Sequence, residues 1–134
     1  MQIILVVTVV LHILSGVFWA GSTLALARTG AASAGQLFRP QMGAAAMAGI
    51  TGGVLWYLLH PSGFNTMERV LALGSLVAVL AAGVQGALCG RSLRQLARNG
   101  EKDTQSKARV ALGHRVAASL LVLTVICMAA ARYV

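Results

Sequence analysis

The sequence predicts an all-α fold, an integral membrane bundle of four helices, and three observations predict it. Hydrophobic residues make up 57% of the 134 positions against 10% charged, and the mean hydropathy is +0.78, far from the balance of a water-soluble domain. The apolar residues fall in four long runs, each near the ~20 residues needed to cross a hydrocarbon core. Those runs also lack the alternation of apolar and polar residues that a membrane β-barrel requires. A chain this short has room for four spans with their connections but not six, so a single transmembrane domain over residues 1–134 is expected. A soluble nucleic-acid binder, a disulfide-stapled module and a large catalytic domain are excluded.

The first span is expected over residues 3–27. It ends in a small-residue pattern like that of a signal peptide, but no Lys or Arg precedes it and its apolar run is longer than the ~7–15 residues of an ordinary signal core. It is read as a retained span. A polar linker follows, with Arg28, Arg39 and Pro40 marking its ends, and Pro40 suits the entry of a second span over 42–59. Trp56, Tyr57 and His60 close that span as an interfacial cluster. Pro61, Gly63 and Asn65 supply turn residues, and Thr66 can cap a third span over 70–90, with Glu68 and Arg69 in the first turn. An amphipathic tail should prolong this helix until Asn99 and Gly100 stop it. The fourth span covers 110–131.

Charge sets the expected orientation. Of the eleven Lys and Arg, nine (Arg28, Arg39, Arg91, Arg94, Arg98, Lys102, Lys107, Arg109 and Arg115) fall at one end of the four spans, and Arg69 and Arg132 fall at the other. Cytoplasmic segments are enriched in Lys and Arg, so the basic loop between the third and fourth spans should lie inside, against anionic lipid, with both termini outside. A bacterial inner membrane fits this pattern. No aromatic residues interleave with the bases, which argues against nucleic acid as a partner. Cys89 and Cys127 should lie near opposite faces, too far apart for a disulfide.

Two faces carry small residues at four-residue spacing: Gly74, Ala78, Ala82, Gly86 and Gly90 on the third span, and Ala45, Gly49 and Gly53 on the second. Such stripes let helix backbones approach closely. They serve packing within one bundle, or a homo-oligomer, or docking onto a larger membrane complex.

His12 is the leading candidate site residue, because an ionisable side chain deep in a span is costly and marks function by default. Ser15, Trp19 and Ser22 share its helix face and form a polar seam expected to face the bundle interior. His114, at the inner end of the fourth span, is the second candidate ligand; His60 is a weaker one, and Arg115 beside His114 can snorkel to the surface. Two histidines on different helices are the minimum for bis-imidazole haem ligation, but the expected heights of His12 and His114 differ by roughly 10 Å at ~1.5 Å per residue. Met42, Met47, Cys89 and His114 in the inner half offer soft ligands for copper as the alternative cofactor. Gln85 is the other strongly polar side chain within the spans. Nucleotide-binding loops, hydrolase motifs and paired carboxylates are absent from the sequence, which leaves hydrolytic or phosphoryl chemistry without apparatus.

The segment LHILSGVFWAGS, Leu11 to Ser22, resembles the first helix of small bacterial membrane proteins of the CopD-like and HemJ-like type, and GHRVAASLLVLTVICMAAARY in the fourth span is similar to segments of such proteins. The resemblance covers about a third of the chain. It implies a four-helix membrane module in which His12 ligates b-type haem or copper. The lysine partner of the HemJ-like group has no counterpart within a span, since Lys102 and Lys107 lie in the loop, and this argues against protoporphyrinogen oxidation. Two functions are therefore expected in competition. One is haem b or copper binding through His12, with His114 second, in electron transfer or metal handling. The other is a cofactor-free accessory or oligomerising subunit that acts through its small-residue faces.

Overall fold

The computed structural model describes residues 1–60, 65–100 and 102–134, with the backbone alone at position 31. Among these, all regular structure is helical: α1 (Gln2–Thr29), α2 (Ala34–Leu59), α3 (Thr66–Val84), α4 (Gly90–Asn99) and α5 (Thr104–Ala130). A π-helical turn, Gln85–Cys89, joins α3 to α4 without a break, so that Thr66–Asn99 forms one rod. Four helices are long and apolar enough to cross a membrane. Their outer surfaces carry exposed Ile3, Leu14, Val17, Leu76, Val79 and Ile126, a distribution suited to lipid and not to water.

The helices run well beyond the expected spans, and the local chemistry at each end says why. Gly30, at φ 80°, ends α1 in a conformation glycine adopts without strain, and its N–H donates to Leu26 O. A single 3-10 turn, Ala31–Ser33, then reverses the chain. The second helix thus starts eight residues before the expected position, and Pro40 lies inside it instead of opening it. Having no N–H, Pro40 leaves the Gln36 carbonyl without its helical donor. At the other end of the molecule the cap of α3 is Asn65, not Thr66. Its side chain accepts from Glu68 N–H at 3.0 Å while the Glu68 carboxylate accepts from Asn65 N–H at 2.7 Å, a reciprocal capping box. The turn expected at Pro61 and Gly63 lies outside the described residues. Gly100, at φ 78°, stops α4 as expected. Asp103 caps α5 by accepting from Ser106 N–H at 3.0 Å.

α1 packs closely along α2, and α3 packs along α5, with α1 touching α5; α2 and α3 scarcely meet. Glycines mark the closest approaches. A Cβ on Gly74 would lie 3.0 Å from Cys127 Cβ, one on Gly90 3.1 Å from the Phe38 ring, and one on Gly113 only 2.7 Å from Cys89 Sγ. The stripe on the third span is thus divided: Gly74 and Gly90 serve helix contacts, Ala78 and Ala82 line a cleft, and a Cβ on Gly86 would meet nothing. Trp19, Ala81, Ala117 and Leu121 form the central core; Leu26, Ala34 and Val110 form a second core toward the basic end. Cys89 and Cys127 are both free and buried. Their contacts on α5, Gly113 and Cys127 itself, are fourteen residues or about 20 Å apart along the helix, which rules out a bridge between them.

Candidate functional site

Because α2 and α3 diverge, a cavity of about 520 Å³ opens between the α1–α2 pair and the α3–α5 pair. Ala45, Gly49, Gly53, Ala78 and Ala82 form much of its wall, so the backbones themselves bound the space. Its edges on α2 and α3, Gly49, Gly53, Ser75 and Val79, are exposed, and the cleft therefore opens sideways. Trp19 closes its floor and His12 lines its side. The volume lies within the ~300–1,000 Å³ typical of small-molecule sites.

His12 is half-buried and held by one ring nitrogen. Its Nδ1 lies 3.0 Å from Ala48 O and 3.1 Å from Thr51 Oγ1. A carbonyl only accepts. The Thr51 hydroxyl gives its own proton to Met47 O at 2.7 Å, so toward His12 it accepts as well. Both partners thus require a proton on Nδ1, which places the lone pair of the neutral ring on Nε2. Nε2 has no partner among the described residues. Gly52 makes room for the ring, since a Cβ there would stand 3.1 Å from His12 Cε1. A histidine whose Nδ1–H is anchored to a carbonyl and whose Nε2 is free has the arrangement of metal-ligating imidazoles.

His114 sits elsewhere. It is 1% exposed, and both of its ring nitrogens are engaged: Nδ1 with Val110 O at 2.9 Å, and Nε2 with the Gln41 side-chain amide at 3.4 Å. Cys89 Sγ lies 3.3 Å from Nδ1. His114 does not line the cleft. On α2, His12 contacts Ala48 and Thr51 while His114 contacts Gln41, a separation of seven to ten residues or about 10–15 Å along the axis. The two candidate ligands are not brought together.

What joins the two regions is a buried polar chain that sequence reasoning largely missed. Trp19 Nε1 donates to Gln85 Oε1 at 2.6 Å, and Gln85 Nε2 donates to Thr23 Oγ1 at 2.9 Å. Gln41 Nε2 donates to Ser22 Oγ at 3.1 Å and approaches Thr23 Oγ1 at 3.5 Å, which brings the chain to His114. The π turn makes this geometry: Gly90 N–H bonds to Gln85 O, five residues back, and the widened turn presents both Gln85 and Cys89 to the interior. Of the expected seam, His12 and Trp19 turn inward. The Ser15 and Ser22 hydroxyls donate to carbonyls of their own helix at 2.6 Å, Ser22 also accepting from Gln41, and Thr23 supplies a fully buried hydroxyl. Gln41 stands one residue ahead of the expected second span and so outside the set of intramembrane polar groups, although a glutamine opening an apolar run is a usable signal.

Of the copper candidates, Cys89 and His114 come into contact, while Met47 is exposed. Among the described residues no group of three or more His, Cys, Asp or Glu could hold a metal ion. The rings of Trp56 and His60 lie 5.3 Å apart between centroids, tilted by 33°. The chain matches no protein-family profile, no curated protein and no solved structure.

Proposed function

We propose that this chain is an integral protein of a bacterial inner membrane, with both termini outside, that holds a haem b in the cleft through His12 and serves electron transfer. The observation that carries the reading is His12, whose Nε2 has no partner among the described residues, lining a cleft walled largely by glycine and alanine. A flat macrocycle needs such walls, since larger side chains would occupy its plane. Bound haem would supply a reversible one-electron couple, tuned by its axial ligands and by the apolar surroundings. Arg69 and Arg132, the two basic residues at the end opposite the basic loop, stand one turn beyond the cleft residues Ala72 and Met128 and form no ion pair among the described residues. They are suited to the haem carboxylates. The nine basic residues at the other end support the orientation. His114, with both nitrogens engaged in the protein, is given no ligand role in this reading.

The test is purification in mild detergent from haem-replete cells, with an absorption spectrum and iron and copper analysis. The wild-type protein should show a b-type Soret band with about one iron per chain, lost in His12→Ala and kept in His114→Gln. Stoichiometric copper without a Soret band would select the copper alternative. A wild-type protein free of both would leave the second reading, an accessory subunit, which the sideways-open cleft also favours because a partner helix could fill it.

A further inference from the structure

The cleft holds one more side chain capable of binding iron. We infer that Met128 would hold the iron of that haem together with His12; the inference rests on the haem reading and specifies which residues of this chain would bind the metal. Of the described residues that line the cleft, only His12 and Met128 carry a nitrogen or sulfur lone pair suited to haem iron. The hydroxyls of Ser75 and Thr124 donate to helix carbonyls, at 2.9 Å to Leu71 O and at 3.0 Å to Leu120 O, and neutral hydroxyls are not among the usual haem-iron ligands. The indole nitrogens of Trp19 and Trp56 are donors and have no lone pair to offer.

Height and side agree. Trp19 of α1 packs with Leu121 of α5 in the central core. From that level His12 lies seven residues along α1, and Met128 lies seven residues along the antiparallel α5, so both rise about 10 Å, or two turns, toward the same end of the bundle. Two turns return each side chain to the face it started from, and both line the cleft. They also belong to opposite walls. His12 is anchored to α2 through Ala48 and Thr51, whereas Met128 lies against α3, its Cγ 3.7 Å from where Gly74 would carry a Cβ. Met128 is thus in van der Waals reach of α3 at Gly74. His114, by contrast, differs from His12 by two to three turns in height.

The experiment compares wild type, Met128→Leu and His12→Ala, purified with haem and read by ferric and ferrous spectra, redox titration and carbon monoxide binding. Leucine keeps the volume of methionine and removes the sulfur, so helix content and elution volume should not change. The wild type should be six-coordinate and low-spin, with the ferric sulfur-to-iron charge-transfer band. Met128→Leu should keep a Soret band, lose the charge-transfer band, turn high-spin, bind carbon monoxide that the wild type resists, and titrate at a lower potential. Met128→His should restore a low-spin spectrum without the sulfur band. A five-coordinate wild type, or a Met128→Leu spectrum identical to the wild type, would overturn the inference while His12→Ala still upholds the haem reading. A wild type that takes up no haem would overturn both.

Discussion

At His12 the decisive feature is the tautomer. Two acceptors, a carbonyl and a hydroxyl already committed to its own helix, hold the proton on Nδ1 and leave Nε2 without a partner among the described residues. Removing one acceptor should loosen this orientation: Thr51→Val is expected to lower haem affinity by roughly tenfold in a competition with a soluble haem acceptor, the low end of what the hydrogen-bond partners of a ligating histidine contribute. An unchanged affinity would show that Ala48 O alone suffices. Arg69 and Arg132, at the end opposite the basic loop, lend themselves to a ligand-side test. Haem dimethyl ester lacks the carboxylates, so it should bind the wild type more weakly than haem does, and should bind Arg69→Ala/Arg132→Ala and the wild type equally. His12, Trp19 and Gln85 were legible in the sequence because a polar or ionisable side chain within hydrocarbon must be satisfied. Which partners satisfy them was not legible: Thr23 and Gln41 meet Gln85 and His114 only through three-dimensional packing.

At the scale of elements, the π turn and the caps determine what faces inward. Gln85 gives the Trp19 N–H its acceptor within the core, and Gln85→Leu leaves that donor buried without one, at a cost of about 1–3 kcal/mol. Thermal unfolding in detergent should register this loss, together with a shift in tryptophan emission. Asp103 supports the start of α5, and its carboxyl is held below the usual carboxylate range by the Ser106 hydroxyl, the Ser106 N–H and the Asn99 amide. A depressed carboxyl contributes stability above its unfolded pKa of about 3.9 and loses it as pH falls through the lower folded value. Amide exchange at Ser106, corrected for intrinsic rates, should therefore stay protected at mildly acidic pH and open only in stronger acid; Asp103→Ala should open it throughout. The stop at Gly100 was readable because glycine in a left-handed conformation is a local device. The early start of α2 was not. Pro40 reads locally as a helix entry, yet the contact of Ala34 with Leu26 and Val110 draws the helix past it.

At the scale of the molecule, the function proposed depends on two helix pairs, α1 with α2 and α3 with α5, with a cleft between them where α2 and α3 scarcely meet. Filling the gap should abolish the site without dissolving the bundle. Gly49→Leu combined with Ala82→Leu is expected to eliminate haem uptake while leaving the elution volume in detergent as in the wild type. A changed elution volume in that variant would instead mark these faces as contacts with another chain. Composition and run length alone determined that the chain is four apolar helices, because every backbone polar group in hydrocarbon must be paired within its own segment. Small residues at four-residue spacing announced close approach, but between helices or around an empty space the spacing is the same. Only the tertiary structure decided that Gly74 and Gly90 seat neighbouring side chains while Gly49, Ala78 and Ala82 bound a cleft. That choice is made by which helices pair, and pairing in lipid follows from the summed packing of whole faces, a property no single stripe of residues contains.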